Sequence, residues 1–157
     1  MEQLASKYKV SERTIRRDLE GMRFVHKIAK HKEVTVQLDT TYWGRNFGLM
    51  VIKDVLRNEI LWHKYVRNET IAQYVEGISW LEQNGFKIYG AVIDGMRGLA
   101  QALYPIPVQM CQFHQILITR RYLTQEPDLD ASCELLELVK NITKMDKEGF
   151  VGAFNEW

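Results

Sequence analysis

Two aspartates and a Cys-x-x-His are the residues of this chain best suited to chemistry. Asp39 closes the run Val34-Thr35-Val36-Gln37-Leu38-Asp39-Thr40-Thr41, and Asp94 closes Lys87-Ile88-Tyr89-Gly90-Ala91-Val92-Ile93-Asp94-Gly95. β-branched and apolar residues make each run a buried strand, and a carboxylate at its end must emerge at the sheet's edge, because an unpaired buried charge is too costly. Two such edges brought together make a divalent-metal site for Mg²⁺ or Mn²⁺, and that chemistry is phosphodiester cleavage. Each aspartate also has a plain reading: Asp39 as a strand-end turn former, Asp94 as the first residue of an Asp-Gly turn. Cys111 and His114 supply two of the four ligands of a closed zinc site, but Cys133, His26, His31 and His63 offer no matching pair. Cys111 therefore reads as a small buried apolar residue. His114 opens a helix, where it either sits in the core or contacts a phosphate or a carboxylate.

The elements that must position these groups follow from periodicity and punctuation. Val34–Asp39 is a strand, Phe47–Asp54 a second and Glu59–Val66 a third, with turns at Trp43-Gly44-Arg45-Asn46 and Arg57-Asn58. A helix over Glu69–Asn84 carries Ile71, Tyr74, Val75, Ile78 and Leu81 at helical spacing, and Gly85 stops it. Ile88–Asp94 is the fourth strand and Arg97–Leu103 a short helix broken by Pro105 and Pro107. Val108–Cys111 is the fifth strand, followed by a helix from near Gln112. The order is β-β-β-α-β-α-β-α. Leu129–Ile142 and Lys147–Trp157 are further helices, the former burying Leu135, Leu136, Leu138 and Val139.

The first residues form a basic arm. Residues 1–32 hold nine Lys/Arg against four Asp/Glu, a balance of +5, and the rest of the chain holds twelve against sixteen, −4. Such a split suits an arm that meets a polyanion and a body that keeps acids for metal. Gln3 to Val10 reads as a short helix and turn, and Ser11 as the N-cap of a second helix from Glu12 to about Met22. Leu4, Ala5, Val10, Ile15 and Leu19 form the shared apolar face, leaving Arg13, Thr14, Arg16 and Arg17 outward for base edges or phosphates. Val10 to Leu19 resembles the helix-turn-helix of bacterial repressors and transposases, and marks 1–28 as a DNA-binding arm with Ser11, Arg13, Thr14, Arg16 and Arg17 as its contact residues.

Composition is permissive. With 157 residues, 46% of them hydrophobic and 26% charged, the chain can bury one real core plus the arm. No apolar run reaches the ~20 residues that span a bilayer, and two cysteines fit a reducing compartment, so the expected location is cytoplasmic, with no membrane partner.

Taken together, Leu38-Asp39-Thr40-Thr41-Tyr42, Val92-Ile93-Asp94-Gly95 and Gln109-Met110-Cys111-Gln112-Phe113-His114-Gln115 resemble a bacterial mutator-type insertion-sequence transposase. The resemblance covers residues 33–157. It implies an α/β fold with a ribonuclease H-like core over 33–125, and the start of a helical insertion over 126–157. It also implies metal-dependent DNA strand cleavage and strand transfer, with Asp39 between two Mg²⁺ ions, Asp94 on one of them, and Cys111 and His114 close to the catalytic pocket. The implied partner is double-stranded DNA, both element ends and target, and the full-length protein is expected to be a homo-oligomer. One departure matters. The family's third acid, a Glu, follows a long helical insertion, and this chain stops before it, at Phe154-Asn155-Glu156-Trp157. Glu134 and Glu137 imitate the shorter spacing of other transposases, and Glu156 is a weaker stand-in. The expectation is thus an incomplete transposase that does not cleave alone. The alternatives are a non-enzymatic, sequence-specific DNA-binding protein, either a regulator or a competing truncated transposase, and a decaying product with no role.

Overall fold

The computed structural model describes residues 1–21, 29–45, 47–124 and 126–157. The expected end of the second arm helix at Met22, the zinc candidate His26 and the turn residue Asn46 lie outside the described residues. The chain divides into two compact units, Met1–Gln109 and Met110–Trp157.

The first unit is built on strands β1 (Glu33–Tyr42), β2 (Gly48–Asp54), β3 (Glu59–Val66) and β4 (Lys87–Ile93), with β5 (Val108–Met110) reaching the boundary. They form one mixed sheet in the order β3-β2-β1-β4-β5. β1 runs antiparallel to β2 and parallel to β4, and β2 runs antiparallel to β3. This α/β arrangement is compatible with the ribonuclease H-like core expected from the element order. Alternation along β1 is plain: Val34, Val36 and Leu38 are buried, while Thr35, Gln37 and Asp39 are half-buried.

Helix α3 (Ile71–Gln83) covers the face that holds the core. Thr70 caps it, its hydroxyl accepting from Gln73 N at 3.3 Å, and Gly85 at φ 81° ends it. Tyr74, Gly77, Ile78 and Leu81 are buried at three- and four-residue spacing, against a core that includes Val36, Leu38, Met50, Ile52 and Trp62. At Gly77 the helix stands so close to the sheet that an added Cβ would meet Ile52 Cδ1 at 2.6 Å and the Trp62 ring at 2.9 Å. The short α4 (Leu99–Ala102) buries Leu99 on the same unit.

Ahead of the sheet lie α1 (Glu2–Tyr8) and α2 (Glu12–Gly21), joined by a turn in which Lys9 adopts φ 53° and Val10 N bonds to Ala5 O. Ser11 Oγ accepts from Thr14 N at 3.1 Å, so the expected N-cap of the second helix is in place. The apolar face differs from expectation. Ala5 is buried and Ile15 and Leu19 are half-buried, but Leu4 and Val10 remain 41% and 38% exposed, because helices of two and three turns offer each other too little surface.

The second unit consists of α5 (Gln112–Leu123), α6 (Asp130–Lys140), a 3₁₀ turn over Ile142–Lys144 and α7 (Lys147–Glu156). On α6 the buried residues are Leu136 and Val139; Leu135 and Leu138 are half-buried, since one stripe of a three-turn helix cannot bury four adjacent positions. Among the described residues no helix is long and apolar enough to cross a membrane.

Candidate carboxylate site and basic arm

Sequence reading ends the first strand at Asp39. The strand instead runs on to Tyr42, because the β1–β2 ladder continues through Asp39↔Val51 to Tyr42↔Gly48. Asp39 is nevertheless at an edge of another kind. Parallel pairing with β4 stops at Gln37↔Val92, two residues short of Asp39 on one strand and of Asp94 on the other.

The register there depends on one shift. Val34 pairs with Ile88, but Thr35 pairs with Gly90, so β4 passes over Tyr89. Continued by two residues, the shifted register brings Asp39 level with Asp94 and on the same face; unshifted, Asp39 would meet Ile93. The skipped Tyr89 is held outside, its hydroxyl donating to Glu33 Oε1 at 2.8 Å and its ring beneath Lys87 Nζ at 4.8 Å.

Both carboxylates are half-buried. Asp94 Oδ1 accepts from Met96 N at 2.9 Å, and Gly95 takes φ 94°, so the Asp-Gly turn expected from sequence fixes one oxygen and leaves the other without a partner among the described residues. Asp39 makes no hydrogen bond or ion pair with a described residue.

A hydrogen-bond chain pins the strand beside Asp39 from the opposite face. The buried Tyr74 hydroxyl donates to Glu69 Oε2 at 3.2 Å, which leaves Thr40 Oγ1, 2.8 Å away, to donate to it. Burial pushes the Tyr74 phenol far above its usual range. The Thr40 bond opposes this, while the negative charges of Glu69 and Asp94 add to it. Glu69 N in turn donates to Tyr42 Oη at 2.7 Å, tying the far end of β1 to the start of α3. Sequence reading gave Tyr74 only a packing role, since its spacing carries no trace of the hydroxyl's partners.

It also missed Asp54. This carboxylate is wholly inaccessible and stands opposite Val36. Its Oδ1 accepts from Leu56 N at 2.8 Å, its Oδ2 accepts from Arg57 Nη1 at 2.8 Å, and His31 Nε2 lies 3.1 Å from Oδ2. Burial alone would raise its pKa, but the bonds from Arg57 and from the Leu56 and Arg57 amides, with the Arg57 charge, hold it below the ordinary 3.8. The signal available in sequence was the Asp-x-x-Arg spacing at a strand end.

The remaining candidates belong to the second unit. Cys111 precedes α5 as its N-cap residue without a side-chain capping bond, and half-buried His114 contacts the Phe113 ring edge-on at 5.5 Å. Glu134, Glu137 and Glu156 are exposed, and Glu137 is paired with Lys140 at 2.6 Å. Among the described residues no group of three or more His, Cys, Asp or Glu side chains could hold a metal ion.

On the arm, Arg13 and Arg17 are exposed, but Arg16 is half-buried, its Nη2 3.6 Å from the position a Cβ on Gly44 would take. Arg13, Arg16, Arg17 and Glu20 line one cavity together with Phe47 and Arg67 of the body.

No family model matches the chain, and no curated protein matches it. A solved structure described as a cryo-EM simian T-cell lymphotropic virus intasome in complex with PP2A regulatory subunit B56 gamma resembles it with 12% identity. The match covers 92% of this chain and 68% of that one, with a TM-score of 0.39. At that distance the likeness carries no argument about what this chain does.

Proposed function

We propose that this protein acts on duplex DNA as the catalytic part of a mutator-type transposase, with Asp39 and Asp94 as metal-binding carboxylates and the arm as a DNA-binding element. One observation carries the reading: the register of β1 and β4 that, continued, brings two incompletely bonded carboxylates level where the parallel strands part. Ligand sites of α/β sheets lie at such carboxyl ends. The donor set fits Mg²⁺ or Mn²⁺, because these ions take one or two protein carboxylates and complete their shell with water and substrate phosphates. When bound, they supply Lewis-acid activation of the attacking and leaving oxygens. The chain's own residues hold the geometry: Met96 N fixes Asp94, and the Thr40–Tyr74–Glu69 link fixes β1 beside Asp39.

The second reading, DNA binding without cleavage, is favoured by the lack of a third metal-ligating side chain in one cluster among the described residues. Mn²⁺ titration followed by electron paramagnetic resonance, with a DNA duplex present, tests the metal site. Asp39→Asn and Asp94→Asn should each weaken binding at least tenfold, and undiminished binding in both would overturn the proposal. Plasmid nicking separates the two readings. The chain alone is expected not to nick; nicking abolished by both substitutions would bring Glu134 or Glu137 forward as the third acid.

A further inference from the structure

We propose that the cavity between α2 and the body is a binding site for a phosphate group, held by the guanidinium groups of Arg13, Arg16, Arg17 and Arg67. It rests on the DNA-binding reading only for the source of that phosphate. The cavity measures about 480 Å³ and has four arginines against one carboxylate, Glu20, in its lining. Three of the arginines come from one helix, and Arg67 follows β3, far along the chain. Arg17 has Asp18 at 3.5 Å and Arg16 has Glu12 at 3.6 Å, yet cations gathered from two separate parts of the fold are eased by an anion between them.

The local bonding leaves that anion's place open. Arg16 Nε is buried and has no hydrogen-bond partner among the described residues, although Arg16 Nη2 reaches Glu12 at 3.6 Å. A guanidinium Nε–H buried without an acceptor is costly, and a phosphate oxygen is the acceptor whose geometry suits the fork. Arg13 and Arg67 make no ion pair with a described residue. Arg16 lies against the turn after β1, its Nη2 3.6 Å from the position a Cβ on Gly44 would take. Phe47 is buried and stacked on Tyr65 at 5.4 Å, giving the cavity an apolar wall. The volume exceeds one phosphate and admits the sugar attached to it, so a nucleic-acid backbone and a small phosphorylated molecule share the required chemistry.

Arg67→Gln tests this, because Arg67 lies outside the arm and leaves the recognition helix unaltered. In wild type, duplex DNA should bind with a steep salt dependence. Arg67→Gln should lower affinity about fivefold at 0.1 M salt and reduce the log–log salt slope by about 1. Glu20→Gln, which removes the lone carboxylate, should tighten binding a few-fold and serves if the first variant fails to fold. In parallel, the Arg16 Nε–H resonance should shift on titration with inorganic phosphate in wild type, and much less in Arg67→Gln.

Loss of DNA affinity together with the shift supports the site with nucleic acid as its ligand. A phosphate-dependent shift in a protein that does not bind duplex DNA supports the site with a small phosphorylated ligand, and the DNA reading falls instead. DNA binding that neither substitution alters, with a silent Arg16 resonance, overturns the site and leaves the DNA reading standing. Silence in both measurements overturns both.

Discussion

Asp54 and Asp39 lie a short way apart along the same β1–β2 ladder, on opposite faces, and they are treated in opposite ways. Asp54 is sealed from solvent with both oxygens engaged, by two amides and a guanidinium, and with the His31 imidazole nearby. Asp39 has no partner among the described residues, and its neighbour in the continued register, Asp94, has one oxygen engaged. A carboxylate whose lone pairs are filled by its own chain can only hold the fold together. One whose lone pairs are left over can bind something else, and it costs the fold little to keep it so.

The contrast can be broken by ranking substitutions. Asp54→Ala should cost the most, about 2–3 kcal/mol in urea unfolding, because it empties a buried position and takes the acceptor from two amide donors and the Arg57 guanidinium. A loss below 1 kcal/mol would put Asp54 in the same class as Asp39. Acid should then separate wild type from Asp54→Asn. The folded-state pKa of Asp54 lies below its ordinary 3.8, so its contribution is complete above 3.8 and is lost as pH falls through the depressed value. Wild type should show that acid loss in stability-versus-pH curves, and the amide variant should lack this part of it.

Smaller effects sharpen the site end. Tyr74→Phe keeps the ring but deletes the hydroxyl between Thr40 and Glu69, and should destabilise by about 1–2 kcal/mol. If the link also holds β1 in place for metal, Mn²⁺ affinity falls with it; an unchanged affinity would make the bond purely structural. Asp39→Asn and Asp94→Asn should change stability least, within about 0.5 kcal/mol. The Asp94 substitution is mild because an amide oxygen still accepts from Met96 N.

The sheet was legible because its cues are local: alternation in Val34–Leu38, the Gly85 stop and the Asp94-Gly95 turn each act within a few residues. Strand limits mostly fell within a residue or two of expectation, but the extension of β1 to Tyr42 did not, since a ladder's length is set by its partner strand. The two aspartates were visible as types at strand ends. Their relative register was not, because Gly90 inside a strand pattern hints at a bulge without saying which residue is passed over. Asp54 escaped for a related reason: His31 approaches it from a distant part of the chain. Arg16 looked outward on a helical wheel, yet it lies half-buried against the turn at Gly44.

In the proposed site, the register step also makes the alignment of Asp39 with Asp94 a question of parity. Residues could be added to or removed from the connections at 67–70 or 84–86 without altering which carboxylates meet, since loops absorb length. Deleting Tyr89 would leave that alignment intact, because Gly90 would follow Ile88 directly and still face Thr35. A residue inserted between Gly90 and Ala91 would be different in kind: in the same register it puts Ile93 opposite Asp39 and turns Asp94 to the other face. The proposed site thus depends on an odd-or-even count between Gly90 and Asp94, and a chain with every acid intact but one residue too many there would not bring the two carboxylates level.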